Sequence, residues 1–142
     1  VLGLGLLALV ATPAAAPFHD DDDDDGKGEE ELELDEAEVF IEWNTTDGDF
    51  GIQFFGDGEG WKSMRLENSD GKTVLALKTK KNVKQQGLTE GFFESVEPSP
   101  DELSMEEFFE RFPEGTWEFE GRTLDGDEIE GEAEFTHWPA HP

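Results

Sequence analysis

The sequence predicts a mainly β fold, an antiparallel β-sandwich with one or two short helices inserted before its last hairpin. Three observations predict it. From Ala37 onward, apolar and polar residues alternate at a period of two, as half-buried strands require. Turns rich in Gly, Asp and Asn interrupt these runs at short intervals. Met105–Phe112 carries the clearest helical period. Short strands, tight turns and a helix between strands form the pattern of a sandwich.

Taken in order, Val1–Ala16 (VLGLGLLALVATPAAA) reads as the apolar core and cleavage zone of a partial signal peptide, with cleavage favoured after Ala14. The run is too short to span a membrane, so a secreted or periplasmic chain is expected. Residues 17–36 read as a disordered acidic linker, because the unbroken Asp20–Asp25 run and the glutamates after it repel one another and have nothing to bury. Residues 37–138 are the expected β-sandwich domain, and 139–142 a tail or linker.

Within the domain, Val39, Ile41 and Trp43 share one face of a first strand, with Glu38 and Glu42 opposite. Asp49–Phe55 forms a second strand, and Gly56–Gly60 reads as a loop. Trp61–Glu67 alternates Trp61, Ser63 and Arg65 against Lys62, Met64 and Leu66. Asn68-Ser-Asp-Gly71 is a hairpin turn leading to a strand at Thr73–Thr79. Residues 85–97 fit either a short helix or an edge strand, since Gly87 and Gly91 weaken a helix there. Ser104 and Glu107 make a capping box. Met105, Phe108, Phe109 and Phe112 form an apolar stripe, and Pro113 ends the helix. Trp117 and Phe119, then Ile129, Ala133 and Phe135, alternate on two arms around an Asp125-Gly126 turn.

The charge is −27, from 37 acids against 10 Lys and Arg. Residues 17–36 hold 12 acids and one Lys, which leaves 25 acids and 9 bases, a net of −16, for residues 37–142. The folded part is therefore acidic in its own right. Phosphate backbones and anionic membranes are repelled, so nucleic acid is excluded as a natural partner. Solubility or tolerance of salt is the plain reading of such acidity. The stretch Lys78–Lys84 is the one basic patch. With no Cys, the chain has no disulfide, thiolate nucleophile or Cys-based zinc site.

Several residues are candidates for chemistry. Asp47, Asp49, Asp57 and Glu59 lie in acidic turns flanking one short strand, and calcium takes oxygen ligands of this kind. Flanking turns sit at opposite ends of a strand, however, and plain turn use of Asp and Gly also explains them. Trp61 and Trp138 fall at strand ends, where exposed rings offer a platform to a glycan or protein ligand. Trp43 and Trp117 are in phase with the core and are expected to be buried. His137 and His141 are four apart, but Pro139 between them argues against a helical zinc pair and for an exposed, frayed end. No nucleophile elbow, phosphate-binding loop or assembled nucleophile–base set occurs, so no catalytic residue is expected. Carboxylate pairs suited to a small secreted hydrolase are too numerous here to point to one.

The run FPEGTWEFEGRTLDGDEIEGEAEFTH, residues 112–137, resembles the last two strands of immunoglobulin-like or fibronectin type III-like modules. Pro113, Gly115, Trp117 and Phe119 stand at the entry to the penultimate strand. Together with TDGDFG (46–51), QGLTEGFFES (86–95) and FPEG (112–115), residues 41–138 resemble an uncharacterised domain of secreted bacterial proteins. That resemblance implies an immunoglobulin-like sandwich beside other extracellular domains, and carries no catalytic residues. The expected function is a non-catalytic spacer or adhesion module. A calcium-dependent binding module is the alternative, with a small hydrolase behind it.

Overall fold

A computed structural model describes residues 30–138 of the chain. The leader, residues 17–29 with His19, and residues 139–142 with His141 lie outside the described residues. The described chain forms β1 (Glu31–Glu33), β2 (Glu36–Asn44), β3 (Asp49–Glu67), β4 (Thr73–Lys78), α1 (Lys81–Gln86), β5 (Leu88–Glu94), α2 (Met105–Arg111), β6 (Gly115–Thr123) and β7 (Glu128–Phe135). The chain is mainly β, and both helices precede the last hairpin.

All seven strands belong to one hydrogen-bonded sheet organised by the 19-residue β3. The first half of β3 pairs with β2 and β5, its second half with β4 and β6. β7 continues the sheet from β6, and β2 comes back into contact with β7 without pairing to it. The sheet thus curls over its own inner face. This differs from the expected pair of antiparallel sheets, and the β1–β7 pair is parallel, with Leu32 opposite Ile129. The reason lies in Gly56–Gly60. It reads as a loop because it is glycine-rich, yet it continues as strand, with the pairing to β5 shifting register between Asp57 and Trp61.

The linker expected at 17–36 gives way to ordered chain by Glu31. Leu34 packs against the core and lies over two glycines. Its Cδ2 stands 2.9 Å from where a Cβ on Gly58 would be, and its Cδ1 stands 2.8 Å from that place on Gly131. A Cβ at either position would have to push the end of the Leu34 side chain aside. Alternating acids at Glu31, Glu33 and Asp35 suggest a solvated tract, but the leucines between them point to the sheet.

Inside the curl, Val39, Ile41, Phe50, Ile52, Trp117, Phe119, Ile129 and Phe135 are buried. Phe54 stacks on Trp117 at 6.0 Å, joining the first half of β3 to β6. α2 closes the core by Phe108, which meets Phe50 edge-on at 4.8 Å. Its capping box forms as the sequence predicts: Ser104 Oγ accepts from the Glu107 N–H at 3.2 Å, and the Glu107 carboxylate accepts from the Ser104 N–H at 3.3 Å. Residues 88–94 resolve as the strand β5, with α1 just before it. α1 has no side-chain cap and no buried residue.

Candidate functional site

Alternation on the first three paired strands sends Val39, Ile41, Phe50 and Ile52 inward. It therefore places Glu42, Gln53 and Glu94 together on the outer face. Gln53 lies opposite Glu94 in register, and Glu42 lies opposite Gly51. Gln53 is only 6% exposed. Its amide nitrogen donates to the Glu42 carboxylate and reaches Glu94 Oε1 at 3.4 Å.

After β5 the chain stays on this face. Ser95 N–H donates to the Ile52 carbonyl at 3.0 Å, and Ser95 Oγ accepts from the Ile52 N–H at 3.0 Å. Phe50 N–H donates to the Pro98 carbonyl at 3.2 Å. Glu97, held between these ties, lies across Gly51, with its Cγ 3.0 Å from where a Cβ there would stand.

One carboxylate oxygen from each of Glu42, Glu94 and Glu97 lies within 4.8 Å of the others. Burial holds the Glu97 carboxyl above its usual range, and the negative charges of Asp49, Glu94, Glu42 and Asp47 push it further the same way. Asp49 Oδ1 is shielded from solvent without a hydrogen-bond partner. Close carboxylates repel when all are ionised, and a divalent cation or a shared proton relieves that repulsion. These residues suit a hard, oxygen-liganded cation.

The four acids expected to bind metal are divided by this arrangement. Asp47 and Asp49 act on Glu97. Asp47 sits in a turn fixed by Asn44, whose Nδ2 donates to Asp47 Oδ2 at 2.9 Å and whose Oδ1 accepts from Thr46 and Asp47 N–H. Asp57 and Glu59 belong to the far end of the first half of β3. Eight residues separate Asp49 from Asp57, about 27 Å of extended strand, so the four do not share an ion. Glu42, Glu94 and Glu97 were not among the expected ligands. Alternation put Glu42 on the outer face, but Glu94 and Glu97 lay where helix and strand were equally open.

The aromatic platform changes as well. Trp61 was expected at the surface and is 2% exposed. Between Trp61 and Ser63 the pairing with β6 slips, so that two steps on β3 match one on β6. Such a bulge reverses the alternation, turning Trp61 to the same side as Met64 and Leu66. Its Nε1–H has no acceptor. Trp43, expected in the core, is 41% exposed and stacks on Phe50 at 5.7 Å. Trp138 is 81% exposed, and Trp117 is fully buried.

His137 is not a frayed end. Its ring stacks on Phe109 at 4.0 Å, its Nε2 lies 2.7 Å from the Phe112 carbonyl, and its N–H donates to Glu114 Oε1 at 2.7 Å. It ties the end of β7 to the end of α2. Among the described residues, no helix is long and apolar enough to cross a membrane. No protein-family model, curated protein or solved structure matches this chain.

Proposed function

We propose that the chain is an exported, non-catalytic β module that acts through its outer surface, as a spacer or adhesion domain beside other extracellular domains. The observation that carries this reading is how the chain spends its aromatic residues. Trp61, Trp117, Phe50, Phe108 and Phe135 are packed against one another or the sheet inside the curl, so the interior is filled by the protein itself. Contacts with partners then fall to the carboxylate-rich outer faces and to exposed rings such as Trp43 and Trp138. The likeness of residues 112–137 to the closing hairpin of immunoglobulin-like modules agrees with such a role. Binding of the purified chain to arrays of glycans and extracellular proteins tests it: saturable binding is expected. Turnover of an ester, glycoside or peptide substrate that is lost on changing one named carboxylate would overturn it.

A second reading, a calcium-dependent module, is favoured by the convergence of Glu42, Glu94 and Glu97. Calcium titration followed by thermal melting separates the two. A specific site raises Tm and saturates, contributing about 2.7 kcal/mol at a hundred times Kd. A gradual rise that sodium chloride reproduces is charge screening, and removes this second reading.

A further inference from the structure

The curl is closed along one edge of β3 and open along the other. Trp61 pairs with Leu88 of β5 on one edge and with Thr123 of β6 on the other. Ser63 pairs with Lys78 of β4, opposite β6. β4 and β5 therefore follow one another along a single edge of β3, with α1 looping out between them. β2 and β6 share the opposite edge, the side on which β2 meets β7. Among the described residues, β4 and β5 pair with β3 alone, so they form the open rim of the sheet.

A crevice lies just inside this rim. Leu75 and Leu77 stand opposite Leu66 and Met64, and Phe93 stands opposite Phe54, so all of them face inward. In the next inward row Gly56 pairs with Gly91, and neither strand supplies a side chain there. A Cβ on Gly91 would stand 3.6 Å from Trp61 Cζ2, and one on Gly56 would stand 3.6 Å from Phe119 Cε1. The paired glycines leave a notch between these two rings, with about 20 Å³ of free volume.

The notch holds one unused polar group. Trp61 lines it and is 2% exposed, and its Nε1–H has no acceptor among the described residues. Cζ2, the ring carbon near Gly91, is on the same edge of the indole as Nε1. No other lining side chain carries an N–H or O–H, and none is charged. The chemistry of the occupant follows from this. An ion would lose its hydration with nothing to pair with. A water would meet one polar partner where it needs about two to four. A hydroxyl could accept from Nε1–H but would bury its own proton unpaired. A carbonyl oxygen accepts and brings no donor to satisfy.

We propose that this crevice binds a small uncharged carbonyl compound, a ketone or an ester, whose oxygen accepts from Trp61 Nε1–H. Its alkyl arms lie against Leu75, Leu77 and Phe93. These side chains are half-buried, and their strands are held on one edge only, so the rim parts to admit arms that outgrow the notch. The site goes beyond a role carried by the outer surface, and it leaves the packed centre around Trp117 and Phe135 untouched.

The probe is 2-pentanone, titrated into the full chain while the four tryptophan indole N–H signals are followed by NMR. The Trp61 signal should move and saturate, and the Trp117 signal, already bonded to the Pro113 carbonyl, should stay in place. The isomeric alcohol 2-pentanol should bind on the order of tenfold more weakly, and W61F should weaken 2-pentanone several-fold. G91A narrows the notch, since its Cβ would stand 2.9 Å from the end of the Phe93 ring, and should weaken both probes. A Trp61 signal that does not saturate, or that moves no more than that of the exposed Trp138, overturns the proposal. So does equal affinity for ketone and alcohol, which removes the carbonyl, and so does unchanged binding by G91A, which removes the crevice.

Discussion

Leu34 lies across Gly131, with its Cδ1 2.8 Å and its Cβ 3.1 Å from where a Cβ on that glycine would stand. The contact joins the segment between β1 and β2 to the middle of β7 and helps to close the curl. Leu34→Ala is expected to cost about 2 kcal/mol, since the leucine is only partly buried. Gly131→Ala is expected to cost about 1 to 3 kcal/mol by crowding. Because the two effects act on one space, the double variant should lose less than the sum, and thermal melting of the set measures the coupling. Simple additivity would show that Leu34 does not hold this place.

The buried tryptophans differ in a measurable way. Trp117 Nε1–H donates to the Pro113 carbonyl at 2.9 Å, whereas Trp61 Nε1–H has no acceptor. Trp117→Phe removes a hydrogen bond and leaves the Pro113 carbonyl only the Ser69 hydroxyl at 3.3 Å, adding about 1 kcal/mol to the packing loss. Trp61→Phe loses no hydrogen bond and should be the milder change. Trp61→Ala should cost about 3 to 5 kcal/mol, as for any large buried ring. Denaturant midpoints of the three variants give the order.

Two glutamates bias the pH dependence in opposite directions. Hydrogen bonds from the Ser104 hydroxyl and N–H hold the Glu107 carboxyl below its usual 4.5. Its contribution is present above 4.5 and is lost as pH falls through the lowered value. Ser104→Ala should lower Tm at pH 7 and weaken this acid-side loss. Glu97 is raised above 4.5, by burial first and then by the neighbouring acids. The folded state therefore holds its proton longer, and stability falls as pH rises from 4.5 through the raised value. Glu97→Gln should raise Tm at pH 7 and leave it unchanged well below pH 4.

Calcium distinguishes the two sets of acids. If the ion is held by the outer-face group, Glu42→Gln or Glu97→Gln abolishes a saturating rise in Tm, and Asp57→Asn with Glu59→Gln leaves it intact. The reverse pattern would place the ion at the middle of β3, beside Asp57 and Glu59.

The strands and α2 were legible wherever one local rule governed them. Val39 and Ile41, the Ser104–Glu107 box, the Asp125-Gly126 turn and the Phe108 stripe all stand as the sequence predicts. Trp61 was misread because a bulge resets the alternation, and no local pattern announces a bulge. Gly56–Gly60 resembled a loop because close approach and chain reversal call for the same residue. The Glu42, Glu94 and Glu97 group depends on pairing between residues 41 apart, as Gln53 and Glu94 are, and a single sequence does not encode that visibly. Leu34 was hidden by the charges on either side of it.

The β1–β7 pairing sets a schedule for the newborn chain. Leu32 pairs with Ile129, so the first of the described strands waits for the last of them. Such distant partners make assembly slow. Until the ribosome has delivered β7, Leu32 and Leu34 stay uncovered. Their flanking glutamates then keep this waiting segment from clumping with its neighbours.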